Sequence, residues 1–312
     1  MNIALDMMGG DFAPEELVKG VRDYLSGETP AEVSLIGDKD SLAPLLHQYQ
    51  VPPNAYRIIA STEVIGMHEH PLRALKEKPN SSIAIGFGLL ASGKTDAFIS
   101  AGNTGAMLIG SLYTIKPIEG IQRPTIGTIV PMENGSTGLL LDVGANADCK
   151  AEHLNQFATL GSLYAQYILG IKTPRVGLVN IGEEEGKGNV LAQTTYPLLK
   201  ANPDIHFIGN VEGRDIFLDH ADVLVCEGFT GNVILKLAES LHGIMERQNI
   251  HTEYFDRFNF EDYGGTPVLG VNKPVIIGHG ISRAKAYKNM LVLAQKMINT
   301  RLLEKMAAAF KA

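Results

Sequence analysis

"AFISAGNTGAMLI", residues Ala97–Ile109, passes from one apolar run into another through Ser100-Ala101-Gly102-Asn103-Thr104-Gly105-Ala106, where side-chain bulk all but disappears. A short apolar run closed by glycine, asparagine and threonine reads as a buried strand handing over to a helix. Continuous rather than alternating apolarity implies burial on both faces, the pattern of a parallel strand covered by helices. The same handover recurs along the chain. Strands are expected at Ile3–Met7, Val33–Gly37, Arg57–Ala60, Ala97–Ser100, Thr125–Val130, Gly138–Val143, Val176–Ile181, His206–Gly209, Val223–Cys226 and Val275–Gly278. Helix-length segments separate most of them, among them Lys150–Leu169 and Glu15–Ser26, which carries Leu17, Val18, Val21 and Leu25 on one face. This alternation predicts a doubly wound α/β fold with a largely parallel sheet and helices on both faces. Thr125–Val143 departs from it: two runs flank Glu133-Asn134-Gly135, and Asn-Gly is a hairpin signal. No low-complexity linker interrupts the chain, so one α/β domain over residues 1–312 is expected.

The composition is that of a globular protein, 45% apolar, and its net charge of −7 argues against nucleic acid or an anionic membrane as partner of the whole surface. Cys149 and Cys226 form neither a CxxC pair nor a disulfide framework, which suits a reducing cytosol. Met1-Asn2-Ile3-Ala4-Leu5-Asp6 has no basic leader, and no stretch nears the roughly 20 apolar residues of a membrane span. A cytoplasmic protein is expected.

In open parallel sheets, ligands sit beyond the carboxyl ends of the strands. Those ends carry Asp6, Gly9, Gly10 and Asp11, then Gly102, Asn103, Thr104 and Gly105. Further along come Asp142 and Asn146, the Gly182–Asn189 loop, Thr230 and Gly231, and His279. Two of them share the pattern Gly-x-Thr-Gly. Glycine lets a ligand approach the backbone, and free N–H groups at a helix start favour an anion such as phosphate. Any one loop is explained as well by tight turns and helix caps. Their repetition at one end of a sheet is what points to an anion. Lys187, between Gly186 and Gly188, is placed to reach that anion and reads equally well as a solvent lysine.

Other motifs carry less. Gly88-Leu89-Leu90-Ala91-Ser92-Gly93-Lys94-Thr95 spells a P-loop, but a helical run precedes it and a strand follows, the reverse of the working order. No GxGxxG appears. His68-Glu69-His70 supplies two imidazoles without a third ligand, so no metal is expected. Cys149 and His153 stand four apart on an expected helix, with nothing nearby in sequence to orient the histidine as a base.

Several blocks together carry a resemblance. Ile3–Pro14, "SAGNTGA", "LLLDVGANADCKAEHL", "VNIGEEEGKGN", "EGFTGNVILK" and "YGGTPVLGV" followed by "IIGHGISRAKAYKN" resemble, in order, the PlsX family of phosphate acyltransferases. The resemblance runs from about residue 2 to 300. It implies a Rossmann-like α/β fold related to phosphate acetyltransferases and isocitrate dehydrogenases, a homodimer, and transfer of a fatty acyl group from acyl carrier protein to inorganic phosphate without a cofactor. The acyl phosphate would feed a membrane acyltransferase of phospholipid synthesis. Within that reading Lys187 and Asn232 are the expected catalytic pair. Arg283, Lys285 and Lys288 are the expected docking charges for an acidic carrier protein. Residues 239–263 depart from the family, which commonly has a longer basic amphipathic hairpin there, so peripheral membrane association stays open. Two other readings stay open: a short-chain phosphate acyltransferase using acyl-coenzyme A, and a non-catalytic scaffold that binds carrier protein.

Overall fold

The computed structural model describes residues Met1–Lys311. In chain order the elements begin β1 (Asn2–Asp6), α1 (Glu15–Leu25), β2 (Glu32–Gly37), α2 (Lys39–Gln48), β3 (Tyr56–Ala60), α3 (Pro71–Glu77), α4 (Ser82–Ala91), β4 (Ala97–Ser100) and α5 (Thr104–Gly110). Next come β5 (Thr125–Pro131), β6 (Thr137–Leu141), α6 (Ala151–Tyr164), β7 (Arg175–Asn180), α7 (Val190–Ala201), β8 (His206–Glu212), β9 (Val223–Val225), α8 (Gly228–Arg247) and α9 (Glu253–Asp256). β10 (Thr266–Leu269), β11 (Val275–Ile277), α10 (Ala284–Asn299) and α11 (Leu302–Ala309) complete the chain. They form two compact units interleaved in sequence, Met1–Pro117 with Phe260–Asn299, and Ile118–Asn259 with Thr300–Ala312.

In the first unit the strand order is β3-β2-β1-β4-β11-β10, parallel except for β10, which runs antiparallel to β11. Ile3, Leu5, Phe98 and Ile99 are fully buried, as their unbroken apolarity requires. Leu17, Val18, Val21 and Leu25 of α1 are buried as well. Each such side chain contributes about 1.5–3 kcal/mol when withdrawn from water. α1 lies close on α10 because Gly20 has no side chain: a Cβ there would stand 2.7 Å from Ala284 O and from Tyr287 Cβ. On α4, Gly86 leaves room for the Phe98 ring, which meets Phe87 edge-on at 5.1 Å.

In the second unit the order is β5-β6-β9-β7-β8. β5 and β6 pair antiparallel across the Asn134-Gly135 turn, with Gly135 at φ +88°, and the others run parallel. The hairpin reading of Thr125–Val143 therefore holds, and so does the doubly wound, largely parallel α/β class. β10 went unread in the sequence because it is four residues long and contains Pro267, which demotes a run as a strand. Beyond α8, the aromatic stretch folds back in its own unit. Arg257 Nη1 donates to Met132 O at 2.9 Å, and Tyr254 packs its ring on Phe258 at 5.4 Å. Among the described residues no helix is long and apolar enough to cross a membrane.

Candidate active site

Each unit contains a strand-end turn built on a buried aspartate. Asp6, the last residue of β1, accepts from Met8 N at 2.9 Å and from Ser100 Oγ at 2.7 Å, while Gly102 N donates to that same Ser100 oxygen at 3.0 Å. Asp142, just past β6, accepts from Gly144 N and Ala145 N at 3.0 Å, Asn146 N at 2.8 Å and Asn146 Nδ2 at 2.6 Å. Burial pushes both carboxyls above the usual carboxylate range, and these donors pull the other way. Both side chains therefore hold a turn in shape.

The bare backbone is explained by turns that touch one another. A Cβ on Gly9 would stand 2.6 Å from Gly102 N, and one on Gly10, at φ +101°, 2.6 Å from the Tyr287 hydroxyl. A Cβ on Gly105 would stand 2.7 Å from the Pro71 ring. In the second unit a Cβ on Gly228 would lie 2.7 Å from Asn146 O, and one on Gly231 only 1.8 Å from Asp142 O. The start of α8 is thereby seated directly on the Asp142–Asn146 turn.

Several of the polar candidates are engaged in the same architecture. Asn103 caps α5 by accepting from Ala106 N at 3.0 Å, and its amide donates to Gly66 O at 2.9 Å and Glu69 O at 3.1 Å. Asp11 N donates to Gly280 O at 2.7 Å, and the His279 ring lies 5.2 Å from that of Phe260. Asn146 Nδ2 also donates to Pro124 O at 2.8 Å. Thr230 donates through N and Oγ1 to Glu227, at 3.1 and 2.6 Å. Thr104 is exposed at the start of α5.

Lys187 and Asn232 are less committed. Lys187 is exposed in the loop after β7, its ammonium 4.0 Å from Glu184. Asn232 is exposed on the first turns of α8, and its amide donates to Val143 O at 3.2 Å. Beside these elements lies a half-open cavity of about 710 Å³ at the carboxyl ends of β7, β8 and β9. Gly188, next to Lys187, and Thr230, two residues before Asn232, line it.

The docking candidates Arg283, Lys285 and Lys288 are all exposed. The Arg283 guanidinium stacks 4.1 Å over the Phe12 ring, and Lys285 pairs with Asp262.

The weaker motifs resolve locally. The P-loop spelling is the end of α4, with Gly93 at φ +72° and Lys94 N bonded to Leu89 O, ahead of β4. Glu69 of the His-Glu-His run is held below the usual carboxylate range by Lys78 and by Gly66 N. His153 Nδ1 accepts from Lys150 N at 3.1 Å as a helix cap, and burial lowers the affinity of that ring for a proton. Burial, with the Asp142 charge adding to it, pushes the Cys149 thiol up to about 12, so it holds its proton at neutral pH and is a poor nucleophile. Ser100, Glu227 and Tyr287 were missed in the sequence. Ser100 stood at a strand end, and Glu227 stood three residues before Thr230 at a helix start; nothing local flagged Tyr287.

Residues 1–249 match the model of a family described as "Fatty acid synthesis protein". The chain belongs to that family. Its relatives include phosphate acyltransferases of Dictyoglomus thermophilum, 44% identical over 97% of each chain, and of Aquifex aeolicus, 44% identical over all of this chain and 97% of the relative. It is an acyltransferase. Among solved structures the family fold is shared with a phosphotransacetylase from Streptococcus pyogenes. That structure is 20% identical, with a TM-score of 0.69 and coverage of 96% of this chain and 94% of that one. A branched-chain phosphotransacylase from Enterococcus faecalis is 14% identical, with a TM-score of 0.63 over 96% and 99% of the two chains.

Proposed function

We propose that the protein transfers a fatty acyl group from acyl carrier protein to inorganic phosphate, in the cytoplasm or at the membrane surface. The acyl phosphate then passes to a membrane acyltransferase. The observation that carries this reading is the end-to-end similarity to phosphate acyltransferases, 44% identical over 97% of each chain.

In the proposed reaction a phosphate oxygen attacks the thioester carbonyl carbon and the carbon–sulfur bond breaks. The proton carried by the phosphate passes to the departing thiolate. Lys187 binds the phosphate: its contact with Glu184 is exposed and long, so releasing the ammonium costs little. Asn232 offers its amide to the developing oxyanion, since Val143 O engages only one of its two N–H bonds. Attack by phosphate needs no enzyme nucleophile, in keeping with a protonated Cys149.

Arg283 and Lys288, with Lys285 partly neutralised by Asp262, steer the acidic carrier protein toward a chain whose net charge would otherwise repel it. Two copies associate through α8. Phe229, Val233, Leu237, Leu241 and Ile244 are spaced to share one helix face and are 44–67% exposed, which supports a covering partner.

Lys187→Ala and Asn232→Ala test the catalytic assignment. Each lowers kcat for acyl phosphate formation by about 10²–10³ while thermal unfolding stays unchanged. Near-normal turnover in either folded variant would remove that residue from the mechanism.

A further inference from the structure

The cavity of the second unit has a chemistry that the turns do not account for. Its floor is apolar and closed: Leu154, Leu178 and Cys226 are each at most 3% exposed. Leu191, Ala192 and Ile234 form its walls, and Ile181 stands at its mouth 80% exposed. Its volume of about 710 Å³ falls in the range of sites that enclose whole small molecules, about 300–1,000 Å³.

The charges at its edge are against an anion. Glu212 and Glu227 face a single cation, Arg214, and Arg214 is already paired with Glu212 at 2.6 Å and Glu183 at 3.5 Å. Inorganic phosphate entering here would meet an excess of negative charge and would have to compete with Glu212 and Glu183 for Arg214. A neutral aliphatic chain meets neither obstacle. It also covers the exposed face of Ile181, which otherwise stands in water.

We propose that this cavity binds the acyl chain of the thioester donor, the hydrocarbon running down between α6, α7 and α8 toward Leu154 and Cys226. The proposal rests on the acyltransferase reading above and adds the place where chain length is measured. The carbonyl end would remain at the mouth, on the side of Gly188 and Thr230, within the reach of the loop that carries Lys187. Phosphate is then held outside the cavity and the hydrocarbon within it.

Gly213 provides the test. It lines the cavity, is exposed, and has open space where a Cβ would stand, so a larger side chain is accommodated at the cavity's edge without displacing protein atoms. Binding of cis-parinaric acid, a fluorescent long-chain fatty acid, is followed without phosphate or turnover, with competition by palmitate and butyrate. The wild-type protein binds the probe, palmitate displaces it and butyrate does not. Gly213→Leu and Ala192→Phe, checked for folding by thermal unfolding, each weaken binding by about tenfold or more, as expected when a hydrophobic slot is shortened by several methylenes. The ratio of kcat/KM for long-chain over short-chain acyl donors falls by a similar factor. Wild-type probe affinity in both folded variants, or no saturable binding at all, would overturn the proposal. Because the binding arm involves no turnover, failure to form acyl phosphate would bring down the reaction assignment and leave the pocket standing.

Discussion

At the scale of single residues, glycine is the recurrent device, and its reason became legible only in three dimensions. The sequence shows Gly9, Gly102, Gly228 and Gly231 at strand ends and helix starts, which suggests backbone left open to a ligand. The structure shows two turns of one unit pressed together at each of these positions. No local signal pairs Gly231 with Asp142, 89 residues earlier, so a sequence reading cannot separate the two causes. The packing cause makes a definite prediction. Gly231→Ala puts a methyl group 1.8 Å from Asp142 O, and both partners there are backbone. The start of α8 must move, at a cost of about 1–3 kcal/mol or more. Gly186→Ala, where nothing lies within 4 Å of the added atom, is the control and should be close to neutral. Urea unfolding of the two variants reads the difference. Equal midpoints would mean that the α8 start is not seated on that turn.

At the scale of elements, strand positions were legible almost throughout, because buried parallel strands are unbroken apolar runs. β10, short and proline-bearing, was the exception. What holds neighbouring strands in register was not legible. Arg175 at the start of β7 donates to both Asp222 oxygens at 3.0 Å and to Asp219 O at 3.0 Å, tying β7 to the segment ahead of β9. Asp222 pays a desolvation penalty that would raise its pKa, yet the Arg175 contacts outweigh it, and its carboxyl is held below the usual carboxylate range. The folded-state value is thus the lower one. The stabilisation is fully present above the unfolded value of about 3.9 and is lost as pH falls through the folded one. Arg175→Ala should lower stability by about 1–2 kcal/mol at pH 7, given the partial exposure of the pair, and by less near pH 3. A destabilisation that does not change between pH 7 and pH 3 would assign the effect to packing alone. The α8 face gives a second prediction at this scale. Leu237 is 60% exposed in the middle of the stripe. Leu237→Glu should convert a dimer to a folded monomer in light scattering coupled to size exclusion; an unchanged mass would place the dimer surface elsewhere.

At the scale of the whole molecule, the order of motif blocks carried more than any single motif. The P-loop spelling and the Cys149–His153 spacing each spelled a chemistry that the local structure accounts for otherwise. Several strand-end blocks in fixed order named a family, and that family is the one the chain belongs to. The interleaving of the two units was invisible because no low-complexity linker marks any of the three crossings, near Pro117, Asn259 and Asn299. In the proposed reaction phosphate takes a long acyl chain from carrier protein, and one assay reads that step. The purified protein is given palmitoyl-acyl carrier protein or acetyl-coenzyme A, with and without inorganic phosphate, and acyl phosphate is trapped as the hydroxamate. Thioester loss and hydroxamate formation are expected from the palmitoyl donor only when phosphate is present, with little from acetyl-coenzyme A. Product from acetyl-coenzyme A alone would make it a short-chain enzyme, and thioester loss indifferent to phosphate would rule out phosphate as the acyl acceptor.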